Sequence, residues 1–244
     1  MTFPRKIPLL LAALAVLALL AAGCTTLPDT CIDGSGILTN ETRDVGEFTG
    51  ISLNMPAILT VREGTFPGVL IEADDNILPF ISTTVNDGTL TISQTSPCVR
   101  PTGTIRITAT ARSFRELAIL GTGDIRSDGT LRSSSLAARI TGAGDLDLAV
   151  ETGSLTTTVT GTGNVHLSGT AQEHTISLPG AGSVDAATLQ TARTSVEILG
   201  SGNAKVNTSE TLTVRITGAG TVLYAGNPQV EQTITGAGSV RKLP

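Results

Sequence analysis

Aromatic side chains are nearly missing from this 244-residue chain, which has no tryptophan, one tyrosine and five phenylalanines. That scarcity removes the stacking platforms on which single-stranded nucleic acid is bound. Positive charge is thin as well. Only 16 Lys and Arg stand against 21 Asp and Glu, and no basic patch is available for duplex phosphates. There are two histidines and three cysteines, with no Cys-x-x-Cys and no Cys/His cluster at zinc spacing. Charged residues make up 15% of the chain and mean hydropathy is +0.23, a balance that argues against disorder. What abounds is small or β-branched: the chain has 27 Gly, and roughly one residue in six is Thr. Such residues suit thin layers of strands. No long segment beyond the N-terminal apolar run shows helical periodicity.

That run is an address. Arg5 and Lys6 precede an unbroken stretch of Leu, Ala and Val from Leu9 to Ala22. It is short for a bilayer span and has the form of a signal-peptide core. The junction Leu20-Ala21-Ala22-Gly23-Cys24 resembles the lipobox of bacterial lipoproteins. The resemblance implies cleavage before Cys24 and acylation of that residue, palmitate included, with hydrocarbon burial holding the protein to a membrane. Losing Arg5 and Lys6 takes the formal net charge from −5 to −7, which disfavours docking of the body on anionic lipid. With Thr25 rather than Asp after the acylated cysteine, sorting in a cell with two membranes would be to the outer membrane. Cys31 and Cys98 remain, and an even remainder in an exported chain points to a disulfide.

Residues 36–110 read as a β region. Its short runs include Ile58–Val61, Val69–Ile71 and Leu90–Ile92, with Asn86-Asp87-Gly88 as a hairpin-type turn. Residues 111–244 are a repeat array with the unit apolar-x-Gly-x-Gly-polar-apolar. Its seven copies begin at Ile119, Ile140, Val159, Leu178, Ile198, Ile216 and Ile234, spaced 18 to 21 residues apart. The glycine pairs are Gly121/Gly123, Gly142/Gly144, Gly161/Gly163, Gly180/Gly182, Gly200/Gly202, Gly218/Gly220 and Gly236/Gly238. A fixed period near twenty marks a solenoid, so the predicted fold is all-β: a solenoid-like parallel β-helix. Ile51–Leu59 is a candidate degenerate copy. The full division is signal peptide 1–23, tether 24–35, and one domain made of 36–110 and 111–244.

Alternation assigns the faces. Within a repeat the glycines fall in phase with the apolar positions, as in Val159, Gly161, Gly163 and Val165. An extended strand would turn both glycines inward, while a bend or bulge would place them at a corner. The opposite parity carries Thr141, Thr160, Thr217 and Thr235, then Asp124, Asp145, Asn164, Ser183, Asn203, Thr221 and Ser239. It is expected to form a solvent face of small polar side chains stacked rung on rung.

Chemistry has few candidates. Asp124, Asp145 and Asp147 invite a calcium or glycan-cleaving reading, but the row drifts to Asn, Ser and Thr, so no carboxylate ladder is expected. Asp74-Asp75-Asn76 offers a cation site or a structural turn. His166 and His174 are expected to face outward as lone imidazoles. No Gly-x-Ser-x-Gly is present, and no helix follows the glycines to hold a dinucleotide phosphate. The expectation is therefore no metal, no cofactor and no catalytic residue.

Several segments together resemble the putative autotransporter adhesin head GIN domain family. They are Arg43-Asp-Val-Gly-Glu-Phe48, Ile71-Glu-Ala-Asp-Asp-Asn-Ile-Leu78, Asp87-Gly-Thr-Leu90, Leu117-Ala-Ile-Leu-Gly-Thr-Gly-Asp124, the glycine repeats, and Tyr224-Ala-Gly-Asn-Pro228. The resemblance implies an exported, often lipid-anchored protein with a β-helix-like stack of strands and no established enzymatic activity. The expected role is a non-catalytic envelope module binding a polymer, a glycan or an envelope protein, or acting as a scaffold. The alternative is a carbohydrate-active β-helix enzyme working on an envelope or extracellular polysaccharide.

Overall fold

A strand with an apolar residue at every second position has one face to bury, and a rung this thin can bury it only against the rungs above and below. The chain accordingly folds as a parallel β-solenoid of about seven turns. The computed structural model describes residues 31–243. The expected signal peptide, Cys24 and the first part of the tether lie outside these residues.

The strands before the array are β1 (Ile32–Asp33), β2 (Leu38–Arg43), β3 (Gly50–Asn54), β4 (Ile58–Glu63), β5 (Gly68–Asp74), β6 (Ile81–Asn86), β7 (Thr89–Gln94), β8 (Val99–Arg100) and β9 (Arg106–Ala111). The array consists of β10 (Glu116–Ile119), β11 (Asp124–Gly142), β12 (Asp145–Gly161), β13 (Asn164–Leu178), β14 (Ser183–Ile198), β15 (Asn203–Gly218), β16 (Thr221–Ala225), β17 (Gln229–Gly236) and β18 (Ser239–Lys242). From β11 to β15 each strand pairs in parallel with the next, and β16 and then β17 pair with successive halves of β15.

The repeat sets the register. Ile119 pairs with Ile140 and Ile140 with Val159; Leu178 pairs with Ile198, Ile198 with Ile216 and Ile216 with Ile234. Leu53 pairs with Ile119, and Leu59 with Ile125. Ile51–Leu59 is therefore the first rung, although Asn54-Met55-Pro56 stands where later rungs have glycine.

From β11 to β15 each turn is one bent strand of 15 to 19 residues, while the turn after β15 is split into β16 and β17. The long strands persist because the backbone bonds run to the rungs above and below, so a bend shared by neighbouring rungs leaves the ladder intact. The alternation of buried and exposed residues does slip at such bends, as at Gln172–Glu173 in β13, between the buried Ala171 and the buried His174.

The N-terminal end closes differently. β7 lies parallel on β3 and β9 parallel on β4, but β6 then pairs antiparallel with β7, and β5 antiparallel with β9. Strand direction reverses there, and β2 adds a further antiparallel strand on β5. Arg43 on β2 donates to the carbonyls of Leu78 and Ile81, tying the layers together. Reversal and charge at a sheet end are devices that discourage pairing with other chains. The core runs without interruption from Phe48 to Val222, with Phe48 and Phe114 in tilted contact at 6.5 Å.

Candidate functional site

The corners come first because they aim the face beside them. In each glycine pair the second member is the inward one. A Cβ on Gly163 would lie 2.8 Å from Ile140 Cγ2 and would also run into the Gly144 carbonyl oxygen. Gly144 would meet Ile119 Cγ2 at 2.9 Å, Gly182 would meet Val159 Cγ1 at 2.5 Å, and Gly202 would meet Leu178 Cβ at 3.3 Å. Gly220 and Gly238 would meet Ile198 Cγ2 and Ile216 Cγ2 at 2.7 and 2.6 Å. Gly123, in the first pair, would meet Leu53 Cδ2 at 2.6 Å and the Met55 oxygen at 2.5 Å, both on the degenerate first rung. None of Gly123, Gly144, Gly163, Gly182, Gly202, Gly220 and Gly238 has positive φ. The bend or bulge allowed by the sequence is therefore not what requires glycine at these seven positions; lack of room for a side chain is. Gly238 differs in being only half-buried, because no rung covers it.

The first member does not face the core, so the extended, both-inward alternative does not hold. Gly161 has φ +139°, and a Cβ there would fall on the Gly142 carbonyl oxygen of the rung before. That carbonyl is already engaged, since it accepts the Thr162 N–H at 3.0 Å. Gly142, Gly180, Gly200, Gly218 and Gly236 meet the preceding rung's backbone in the same way. Gly121 departs from the pattern: a Cβ there would meet nothing, since the first rung has no glycine corner beneath it. Elsewhere the glycines let successive corners stack at backbone contact, which keeps the strands leaving each corner aligned.

Two outward rows follow the corners. In the first, Asp145, Asn164, Ser183, Asn203, Thr221 and Ser239 pair rung by rung, as expected from the sequence. In the second, Arg126, Asp147, His166, Asp185, Lys205 and Leu223 do so. Between these rows runs a shallow groove. One depression of about 530 Å³ is lined by Arg126, Asp145, Asp147, Asn164, His166 and Asp185, among others. It shares Ser183 and Asp185 with a second of about 420 Å³ that continues to Asn203, Lys205 and Leu223.

The structure therefore gathers Asp145, Asp147 and His166 from the sequence candidates and adds Arg126, Asp185 and Lys205. Those three were missed because each is a single charge in a different repeat. Only the rung register shows them to be one row.

Polar groups in the groove differ in how far they are spoken for. Asp145 Oδ1 accepts from the Asn164 backbone and side-chain amides at 3.1 and 3.0 Å. Lys205 Nζ donates to Asp185 Oδ2 at 2.9 Å. Partial burial works against the Asp185 carboxylate, but the Lys205 hydrogen bond, the Ala187 N–H and the nearby positive charges outweigh it and hold the carboxyl below its ordinary range. Arg126, Asp147, His166, Ser183 and Asn203 form no side-chain hydrogen bond or ion pair within the described residues. On other faces the charges do pair between rungs: Arg139 with Glu116, Arg132 with Glu151, and Arg193 with both Glu173 and Glu210.

Other candidates have structural duties. Asp74 is buried and accepts from Thr102 Oγ1, Thr102 N and Gly36 N; the Thr102 bonds lead in holding its carboxyl below the ordinary range, against some desolvation. Asp75 accepts from Ser35 Oγ, and Asn76 bonds Ser35 N and Asp33 O. The Asp74–Asn76 cluster is thus occupied in fastening residues 33–36. No group of three or more His, Cys, Asp or Glu among the described residues is placed to hold a metal.

His174 corrects the sequence expectation. It is buried rather than outward, because the parity changes at Gln172–Glu173, just after the buried Ala171, and puts it in phase with Ile176 and Leu178. Its Nε2 bonds Thr157 Oγ1 at 2.9 Å, its Nδ1 has no partner, and burial lowers its pKa to about 3. Cys31 and Cys98 form a disulfide, as expected.

Corner, register and cap together invite comparison with known proteins. The match to the family described as "putative auto-transporter adhesin, head GIN domain" spans residues 47–228. The chain belongs to this GIN-domain family. Solved structures agree. A putative adhesin from Bacteroides fragilis is 26% identical and superposes with a TM-score of 0.83, over 87% of this chain and 100% of the other. A putative lipid binding protein from Parabacteroides distasonis is 20% identical with a TM-score of 0.72, over 87% and 99%. A putative adhesin from Parabacteroides merdae is 21% identical with a TM-score of 0.69, over 87% and 99%. No curated protein sequence matches the chain. The GIN domain here has an adhesin-like fold, and the family's descriptions point to a surface or envelope setting and to binding rather than catalysis.

Proposed function

We propose that this protein is a non-catalytic, adhesin-like module of the bacterial envelope, anchored through lipid on Cys24 and binding an extended partner along the groove between its two polar rows. The observation that carries the reading is the set of unpartnered polar side chains, Arg126, Asp147, His166, Ser183 and Asn203, repeated rung upon rung in a GIN-domain solenoid. Proton-transfer chemistry is poorly served by the same face. Asp145, Asp147 and His166 are exposed, and none is set in the apolar surroundings that tune a catalytic carboxyl or imidazole. Anchoring rests on the Leu-Ala-Ala-Gly-Cys junction after an apolar core. It places the protein in the cell envelope, at the outer membrane where a cell has two.

The test uses the full chain on beads, offered purified envelope polysaccharide and purified envelope proteins. Wild type should retain one of them, and Ser183→Arg, which fills the groove, should not. Equal retention by the two, or none by either, overturns the reading. In cells, Cys24→Ser should abolish palmitate labelling and release the protein from membranes; normal labelling would refute the anchor.

A further inference from the structure

The groove has a repeat, a charge balance and a direction, and these narrow its partner. Its two rows advance by one rung per step, about 4.8 Å in a hydrogen-bonded sheet. From Arg126 to Leu223 the second row takes five such steps, so the groove is about 24 Å long and runs across the strands.

Along it, both signs of charge and neutral polar groups are mixed. Arg126 is followed by Asp147, His166, Asp185 and Lys205, while the other row supplies Asp145, Asn164, Ser183, Asn203 and Thr221. Donors and acceptors are thus offered together at nearly every rung. Carboxylates outnumber cations between the rows, and the Lys205 charge is already committed to Asp185. A polyanion would meet this surface at a disadvantage.

An extended peptide is a poor match too. The groove lies on the face of the sheet, where the backbone is fully paired between rungs, so strand addition has no edge to use. A dipeptide repeat also advances by about 6.8 Å, out of step with the rungs.

On this basis, which rests on the binding role proposed above, we infer that the groove takes a neutral, extended, β-linked glycan laid along the solenoid axis. Such a chain advances by close to one rung spacing per sugar. Its hydroxyls both donate and accept, which suits Asp147, His166, Ser183 and Asn203, the side chains without partners of their own. Leu223 closes one end with apolar surface for a sugar's C–H face. With no tryptophan in the chain and its one tyrosine, Tyr224, half-buried beneath that end, the sugars away from Leu223 are held by hydrogen bonds. Binding per sugar is then weak, and firm attachment comes from the length of the groove and from many anchored copies acting together.

The experiment titrates the full chain in detergent micelles with cello-oligosaccharides of increasing length, with an oligogalacturonate and an unstructured peptide as rivals. Affinity should rise from cellobiose to cellohexaose as more rungs are engaged. Joint replacement Asp147→Ala and Asn203→Ala should weaken the hexaose about tenfold or more. Thr175→Ala, on another exposed face, should leave binding and melting unchanged. A melting curve for each variant separates lost binding from lost fold. The inference is overturned if no oligosaccharide binds, if the groove variant binds as well as wild type, or if the oligogalacturonate or the peptide binds better. Failure here with bead retention of an envelope protein would leave the proposed role intact; failure of both would remove it.

Discussion

At the scale of single residues, the corner glycines and His174 show what the one-dimensional pattern hides. Counting by twos places Gly161 and Gly163 alike, yet a Cβ on the first would meet only neighbouring backbone, and one on the second would also meet the Ile140 side chain in the core. Gly161 also has φ +139°, which the sequence does not display. Gly161→Val would put a branched side chain against the Gly142 carbonyl in a conformation L-residues rarely adopt, and should cost at least about 2 kcal/mol more than Thr162→Val, whose side chain is exposed. Coincident chemical denaturation midpoints for the two variants would contradict this. His174 makes a claim about pH. Its folded pKa of about 3 lies below the ordinary 6.5, so the unfolded chain binds the extra proton first as pH falls. The stabilisation is complete above about pH 6.5 and is lost progressively down to about pH 3, reaching at most about 5 kcal/mol from a shift of this size. His174→Leu, between Leu155 below and Thr194 above, should flatten that slope; at neutral pH the removal of an unpartnered buried nitrogen is offset by the Thr157 hydroxyl losing its partner. Denaturant titrations across this pH range would refute the assignment if both proteins lost stability equally.

At the scale of elements, the array was legible because repetition makes weak signals add. Seven apolar residues ahead of seven glycine pairs fix a register whatever each strand's own propensity. The polar row from Asp145 to Ser239 followed from the same count. What could not be read was whatever breaks the count. The parity change at Gln172–Glu173 moved His174 inside, and the row from Arg126 to Lys205 stayed hidden because its residue types change at each rung. The cap was less legible still. The Asn86-Asp87-Gly88 turn does announce β6 running against β7, but β5 is an ordinary short strand, and nothing local says that it runs against β9 and β2. The Asp74 knot belongs to this scale, since it joins β5 to the segment before β2 and to the loop before β9. Its carboxyl is held below the ordinary range, so it contributes stability above the unfolded carboxyl pKa and loses it as pH falls through the folded value. Asp74→Ala strands the Gly36 and Thr102 amides. Hydrogen exchange at Gly36 and Thr102 should accelerate while the amides of β12 to β15 stay protected. Uniform acceleration through the array would show that the knot supports the whole stack rather than its end.

At the scale of the whole molecule, one end of a stack that could otherwise propagate is closed by antiparallel strands and then fastened to the segment that leads from Cys24. The fastening has three parts: the Cys31–Cys98 disulfide, the parallel pairing of β1 with β8, and the Asp74–Asn76 knot around residues 33–36. Residues 32–35, placed by the sequence in the tether, are thus held on the body. If Cys24 carries lipid, any pull on the solenoid reaches the membrane through this clasp. The bridge closes a loop of 67 residues, worth about 4 kcal/mol if its effect is on the entropy of the unfolded chain. Reduction should therefore lower the melting temperature by about 10 °C for a body of this size. It should also expose the chain near residues 31–37 to protease before the array is cut. A Cys31→Ser, Cys98→Ser double variant should melt at the reduced value and ignore reductant. If wild type melts at the same temperature with and without reductant, the hydrogen-bonded parts of the clasp suffice and the disulfide adds nothing to them. If reduction instead melts the array and the clasp together at one lower temperature, with no early cut near residues 31–37, the cap is the keystone of the stack and not merely its mooring.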